Sequence, residues 1–178
     1  MIDFIDIRNH IVLGLHNFTQ RPVILMEQAY PKPKKADKKT IDYPFFTYKF
    51  TTPYISESHE PSYSTEKVAS SDENFEYDLK YTRHEMSQIS LSITAYSLDS
   101  DQSYQNALEA VKWFEFIGED YLMSKGIVVI DTGNLQNRDT LIVDDYERRV
   151  GFDVRLRVDS IVTKTLETIE TTDIKMEE

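Results

Sequence analysis

Cysteine is absent from the chain, which excludes disulfide frameworks, thiolate nucleophiles, zinc–thiolate clusters and redox pairs together. Glycine is scarce. Gly14, Gly118, Gly126, Gly133 and Gly151 are the five in the sequence, and none falls in GxGxxG or GxxxxGK spacing. Both phosphate-cradling loops need glycine for close backbone approach, so neither is present. A serine nucleophile would want a GxSxG elbow, and the sequence has none. No apolar run approaches the ~20 residues needed to span a bilayer. Residues 1–18 carry acids early and lack a basic segment before an unbroken apolar core, so they do not read as a signal peptide. Positive charge is also in short supply: 20 Lys and Arg stand against 31 Asp and Glu, for a formal net charge of −11. Such a surface repels nucleic acid unless cations are concentrated locally, and it keeps a free subunit dispersed before assembly. The expectation is a soluble protein, intracellular or part of a particle assembled there.

What is present suits one domain over residues 1–178, because 40% of the residues are hydrophobic and a chain of this length buries a core without crosslinks. Residues 2–18 place Ile5, Val12, Leu15 and Phe18 at helical spacing, with Asp3 as a cap. Residues 23–26 read as a short buried strand. Residues 30–42 form a Lys/Pro-rich loop, and 43–52 an aromatic strand. Residues 53–73 are polar and Ser-rich and read as a long loop. A hairpin is expected from strands over 74–85 and 87–98, the second with Ile89, Leu91, Ile93 and Ala95 facing in. The main helix spans 99–125, capped by Ser100 or Asp101. Its stripe is Ala107, Leu108, Val111, Phe114, Ile117, Tyr121 and Leu122, and Gly126 closes it in a left-handed conformation. Trp113 and Phe116 lie off that stripe, so one or both face a partner. A strand over 127–130 follows.

The most informative stretch is GNLQNRDTLIVDDYERRVGFDVRLRV, residues 133–158. It reads as two strands joined by the charged turn DDYERR. In the second strand Phe152, Val154, Leu156 and Val158 alternate with Asp153, Arg155, Arg157 and Asp159, the period of a sheet with one dry and one wet face. That strand runs on past Val158 through IVTKTLETIETT, and 167–178 is a charged, frayed tail. Two helices against a mostly antiparallel or mixed sheet make an α+β fold.

The charged groups can be read two ways. Asp144, Asp145 and Glu147 resemble a divalent-metal or acid–base cluster, but Arg148 and Arg149 follow at once, as in a surface ion-pair turn or a subunit contact. Arg155 and Arg157 join them as inter-subunit candidates. Lys32, Lys34, Lys35, Lys38 and Lys39 are the concentrated positive charge. They are candidates for contact with DNA phosphates or an acidic neighbouring subunit, or they form a solvated loop. No aromatic residues interleave with them, as single-strand binding would want. His10 and His16 are six apart, on different helix faces, and the HisGlu pairs at His59 and His84 have no second histidine in HExxH spacing. All four read as surface histidines. Catalytic, metal and cofactor sites are therefore all assigned as none.

Residues 133–158 also resemble the C-terminal signature of the phage neck and tail terminator family. Four further pieces fit the same pattern: IRNHIVLGLHNFTQRPVILMEQ, YPFFTYKFTTPY, ISLSITAYSLD and ALEAVKWFEFIGEDYL. The resemblance implies a structural virion protein, without enzymatic activity, that forms a homohexameric ring capping the tail tube. It implies a tail-tube protein below, a head-completion or connector protein above, and DNA passing through without specific binding. The location it implies is the virion tail or neck, after assembly in the host cytoplasm, with no membrane partner. From the net charge, the bore of such a ring is expected to be acidic or neutral, with the lysine loop pointing outward. A tail-tube or head-completion ring protein and an unrecognised enzyme stay open as alternatives.

Overall fold

Asp3 starts the first helix by accepting the Ile5 and Asp6 amides at 2.9 and 3.0 Å through Oδ1, which satisfies donors that a helix start leaves without partners. The computed structural model describes residues 3–28, 41–57, 61–70, 72, 75–142 and 145–167. Helix α1 (Phe4–Thr19) buries Ile7, Ile11 and Leu15, spaced by four, and stops where Gln20 turns left-handed at φ 57°. Strands β1 (Val23–Leu25), β2 (Phe45–Ser56), β3 (Ser62–Ala69) and β4 (Tyr77–Ser97) follow. Helix α2 (Ser100–Lys112) passes through a π turn (Trp113–Ile117) into α3 (Glu119–Met123). Strands β5 (Ile127–Thr132), β6 (Gln136–Asn137), β7 (Thr140–Ile142) and β8 (Asp145–Glu167) complete the described chain.

The main sheet runs β1-β2-β4-β8-β5, with β3 farther along β4 and β6 and β7 on β8. The β1–β2 pairing is parallel and the others are antiparallel. The fold is therefore α+β. Ile89, Leu91, Ile93 and Ala95 of β4 and Val150, Phe152, Val154, Leu156 and Val158 of β8 form the dry face expected from their alternation. Ile11, Leu15, Ala107, Ala110, Phe114 and Leu122 close over it from the helices. Gly126 takes φ +70° behind α3, the left-handed stop read from the sequence.

Four expectations are corrected. The hairpin over 74–85 and 87–98 is one strand, β4, paired with β8 from Asp78↔Glu167 to Ser97↔Arg148. Arg83, His84, Glu85 and Met86 supply no glycine, proline, asparagine or aspartate for a turn, so the ladder runs straight through them. The loop over 53–73 is the end of β2 followed by β3, which pairs with β4 from Ser62↔His84 to Ala69↔Tyr77. Both faces of that region are wet, so it lacks the alternation that marks a half-buried strand. DDYERR is not a turn throughout: from Asp145 onward it belongs to β8, paired with β7, while Val143 and Asp144 lie outside the described residues.

The fourth correction concerns the main helix. Asp99 caps it, its Oδ1 accepting the Gln102 amide at 2.9 Å. The Gly118 amide reaches back five residues to the Trp113 carbonyl at 2.7 Å, the signature of a π turn. Trp113 continues the buried stripe of Ser103, Asn106, Ala107 and Ala110 at ordinary helical spacing and so turns inward, while Leu108 and Ile117 of the expected stripe are exposed. The lysine loop (30–42) lies outside the described residues except for 41 and 42. The tail beyond Glu167 lies outside them as well.

Candidate functional site

The face of the sheet opposite the helices is polar in sequence yet partly buried. Ser92, Thr94 and Tyr96 of β4 point to it and are nearly closed off from solvent. The strap of β6, β7 and the residues between them covers it. Arg138 of that strap donates through Nη1 to Ser92 Oγ (2.8 Å) and Thr94 Oγ1 (3.0 Å), and through Nη2 to Asp153 (3.2 Å) and Gln136 (3.4 Å). It lies flat because Gly151 is beneath it. A Cβ there would sit 2.5 Å from Arg138 Nη1 and 2.7 Å from Thr94 Oγ1.

The charged run of the sequence sits beside this strap. Asp139 accepts the Arg149 amide at 2.7 Å and Arg148 Nη1 at 3.1 Å. Burial pushes the Asp139 carboxyl up, but these bonds and one from Asn137 outweigh it and hold the group below the usual carboxylate range. Glu147 accepts the Arg149 Nε at 2.6 Å and the Tyr43 hydroxyl. Burial and the Glu147 carboxylate together push the Tyr43 hydroxyl above its ordinary pKa. The Arg149 guanidinium lies 5.0 Å over the Tyr96 ring, which stacks on Phe45 at 4.7 Å. The cluster is an interlocked unit within one chain.

Farther along β8, Arg155 meets Asp131 at 3.1 Å on the open surface. Arg157 grips Glu57 with both ends of its guanidinium, Nε to Oε2 and Nη2 to Oε1, each at 2.5 Å. Gln88 adds a bond to Glu57 Oε1 at 2.7 Å. Of the seven candidate residues on this segment, Glu147, Arg148, Arg149, Arg155 and Arg157 thus each have a partner inside the chain. Asp145 is placed by backbone only, Asp144 lies outside the described residues, and so do Lys32, Lys34, Lys35, Lys38 and Lys39. The sequence reading missed the partners Glu57, Asp131, Arg138 and Asp139. Arg138 and Asp139 stood inside the most informative segment; Glu57 is a hundred residues from Arg157, with nothing in the sequence to link them.

Hydrogen bonds from Arg157 and then Gln88 lower the Glu57 carboxyl from an ordinary 4.5 to about 2. A depressed folded pKa means the latch is fully formed above the ordinary pKa and is lost as pH falls toward 2. In an NMR titration Glu57 is expected to protonate well below the usual carboxylate range, and Arg157→Gln should return its midpoint toward 4.5. An unaltered Glu57 midpoint in that variant would show that the guanidinium does not set it.

Clefts are shallow. One of about 310 Å³ lies between the π turn, α3 and the β5 edge, lined by Glu115, Glu119, Asp131, Met123 and Val128 among others. Glu115 accepts the Thr132 hydroxyl and Asp131 is held by Arg155. Among the described residues, no three His, Asp or Glu side chains converge as metal ligands. Beside this cleft, Phe116 is 76% exposed while Trp113 is 3% exposed, so of the two aromatics off the expected stripe Phe116 is the outward one. A search of curated proteins finds no match. The family model described as phage neck terminator protein matches residues 9–178.

Proposed function

Because the chain belongs to the phage neck terminator family, a structural class, we propose that it forms a homohexameric ring that caps the tail tube. The ring joins the tube below to a head-completion or connector protein above. The family match over nearly the whole chain carries this reading. The chemistry agrees with it: charge pairs, straps and long strands serve shape and contact. The inter-subunit candidates act on top of their internal pairings. Arg155, half exposed on the open row of β8, is better placed for a neighbour than the enclosed Arg149.

DNA passes through the ring without specific binding. A net charge of −11 per chain, repeated around the ring, favours a wall that repels the duplex over one that grips it through counterion release. Lys32, Lys34, Lys35, Lys38 and Lys39 then face outward or toward an adjoining ring.

Adding the purified protein to growing tail tubes tests the role. It is expected to stop elongation and to appear as one ring at a tube end, with a solution mass of six chains. Tubes that lengthen by incorporating it would make it a tube subunit instead. An image of the capped end with the five lysines lining the bore would overturn the repelling wall.

A further inference from the structure

Half of β4 and the last third of β8 leave the core. The apolar core ends at Ile89 in β4 and Val158 in β8: before Ile89 the side chains are mostly half-buried, with polar Ser87 and Asp78 enclosed, and after Ser160 those of β8 are exposed, yet the ladder continues to Asp78↔Glu167. On the other side of β4, β3 pairs along the same stretch, so Ser62 is level with His84 and His84 with Ile161. The result is a three-stranded arm, β3-β4-β8. Its outer strands are wet on both faces: residues 62–67 and 161–166 are all exposed. Among these, Tyr63, Ile161, Val162 and Leu166 are large apolar side chains.

An arm of this kind has two edges. Among the described residues, β3 pairs only with β4, and residues 162–167 of β8 pair only with β4. Neither edge carries a proline or a glycine. Strands ending in such edges are templates for another strand unless something covers them.

We infer that the β8 edge at 162–166 takes the β3 edge at 62–69 of a second copy of this chain. The inference rests on the ring proposed above and assigns where its subunits join. Three features favour a second copy over a different protein. Both edges belong to one arm, on opposite sides of β4, so each copy offers one and accepts on the other. They stand at the same level, through the common register with β4. They also point the same way, because β3 and β8 are each antiparallel to β4. Rotation about an axis along the strands brings the next β3 alongside β8 as a parallel pair, with no strand inverted. Such head-to-tail contacts close when the rotation closes, and closure leaves the arms with no free edge.

Faces must also match around a closed wall, and they can. Tyr63 stacks on Tyr81 at 5.4 Å and Lys164 lies over Tyr81 at 5.5 Å, so β3 odd and β8 even positions share one face. Ser64, Glu66, Thr163 and Thr165 share the other.

Cysteine pairs test the joint, and the absence of native cysteine makes them unambiguous. Ser64→Cys with Thr163→Cys is one pair, and Glu66→Cys with Thr165→Cys a second. Within one chain each pair is separated by β4, two strand spacings or roughly 10 Å, beyond disulfide reach. Mild oxidation is expected to convert the monomer band of each double variant into a covalent ladder ending at the ring, with no ladder from any single variant. Rings by solution mass with no ladder from either pair would overturn the edge joint and leave the ring reading standing. Dimers from Thr163→Cys alone would mean that two β8 edges meet about a two-fold axis, which also overturns it. A chain that stays monomeric at every concentration would overturn both.

Discussion

Arg149→Glu is expected to lower the stability of the single chain by about 3–5 kcal/mol, the loss typical of breaking one partner of a buried ion pair. The side chains of Arg149 and Glu147 are only 11% and 10% exposed, so water cannot replace what each gives the other. The substitution places a second carboxylate beside Glu147 and removes the cation stacked over Tyr96. It also strands the Tyr43 hydroxyl on a carboxylate that has lost its counter-charge. Arg148→Glu should cost clearly less, because Arg148 is 36% exposed and its partner Asp139 keeps the Arg149 amide as a donor. Urea unfolding of the two variants at a concentration too low for assembly separates them. Equal midpoints, or an Arg149→Glu protein as stable as the parent, would show that the pair holds neighbours together rather than the chain.

The strands that build the core were legible because burial on one face writes itself into the sequence. Ile89 to Ala95 and Phe152 to Val158 alternate without exception, and the structure buries the apolar member each time. The cap at Asp3 and the left-handed stop at Gly126 were legible for a similar reason: a short local motif has a short local cause. The arm was not legible. Ser62 to Lys67 carry no pattern of period two because neither face is dry, and only pairing with β4 makes them a strand. The same holds for Arg83 to Met86, whose neighbours on both sides are in other parts of the chain.

The charged cluster was legible as a location but not as a set of pairings. DDYERR announced that acids and bases meet near residue 147. That Glu147 would turn to Arg149, and Arg148 to Asp139, depends on the strap between β5 and β7 folding back over the sheet. Gly151 carried a trace of this, since a glycine in a strand otherwise rich in β-branched residues often marks a close approach. Glu57 and Arg157 left no trace at all, being brought together by register alone.

The π turn sets up the second large effect, centred on Trp113. The indole is wedged between two helices at positions without side chains: a Cβ on Gly14 would lie 2.5 Å from its Cζ2, and one on Gly118 2.5 Å from its Cε2. Trp113 also meets Phe114 edge-on at 4.7 Å, and Phe114 meets Phe152 at 6.1 Å, so the ring joins both helices to the central sheet. Trp113→Ala should therefore cost about 3–5 kcal/mol, as other large aromatics do when removed from a core. Gly14→Ala is expected to destabilise by about 1–3 kcal/mol through overpacking, although alanine in a helix interior would ordinarily gain ~0.5–1 kcal/mol over glycine. The ring is too rigid to yield, and Tyr121 closes the other side at 2.8 Å from the same Cβ. In a Trp113→Leu background the indole is gone, so the cost of Gly14→Ala should shrink and could reverse sign. A double-mutant cycle by urea unfolding reads this as a coupling between the two sites. Strict additivity would sink the idea, because it would mean that alanine at 14 never touched the indole and that Gly14 is there for some other reason.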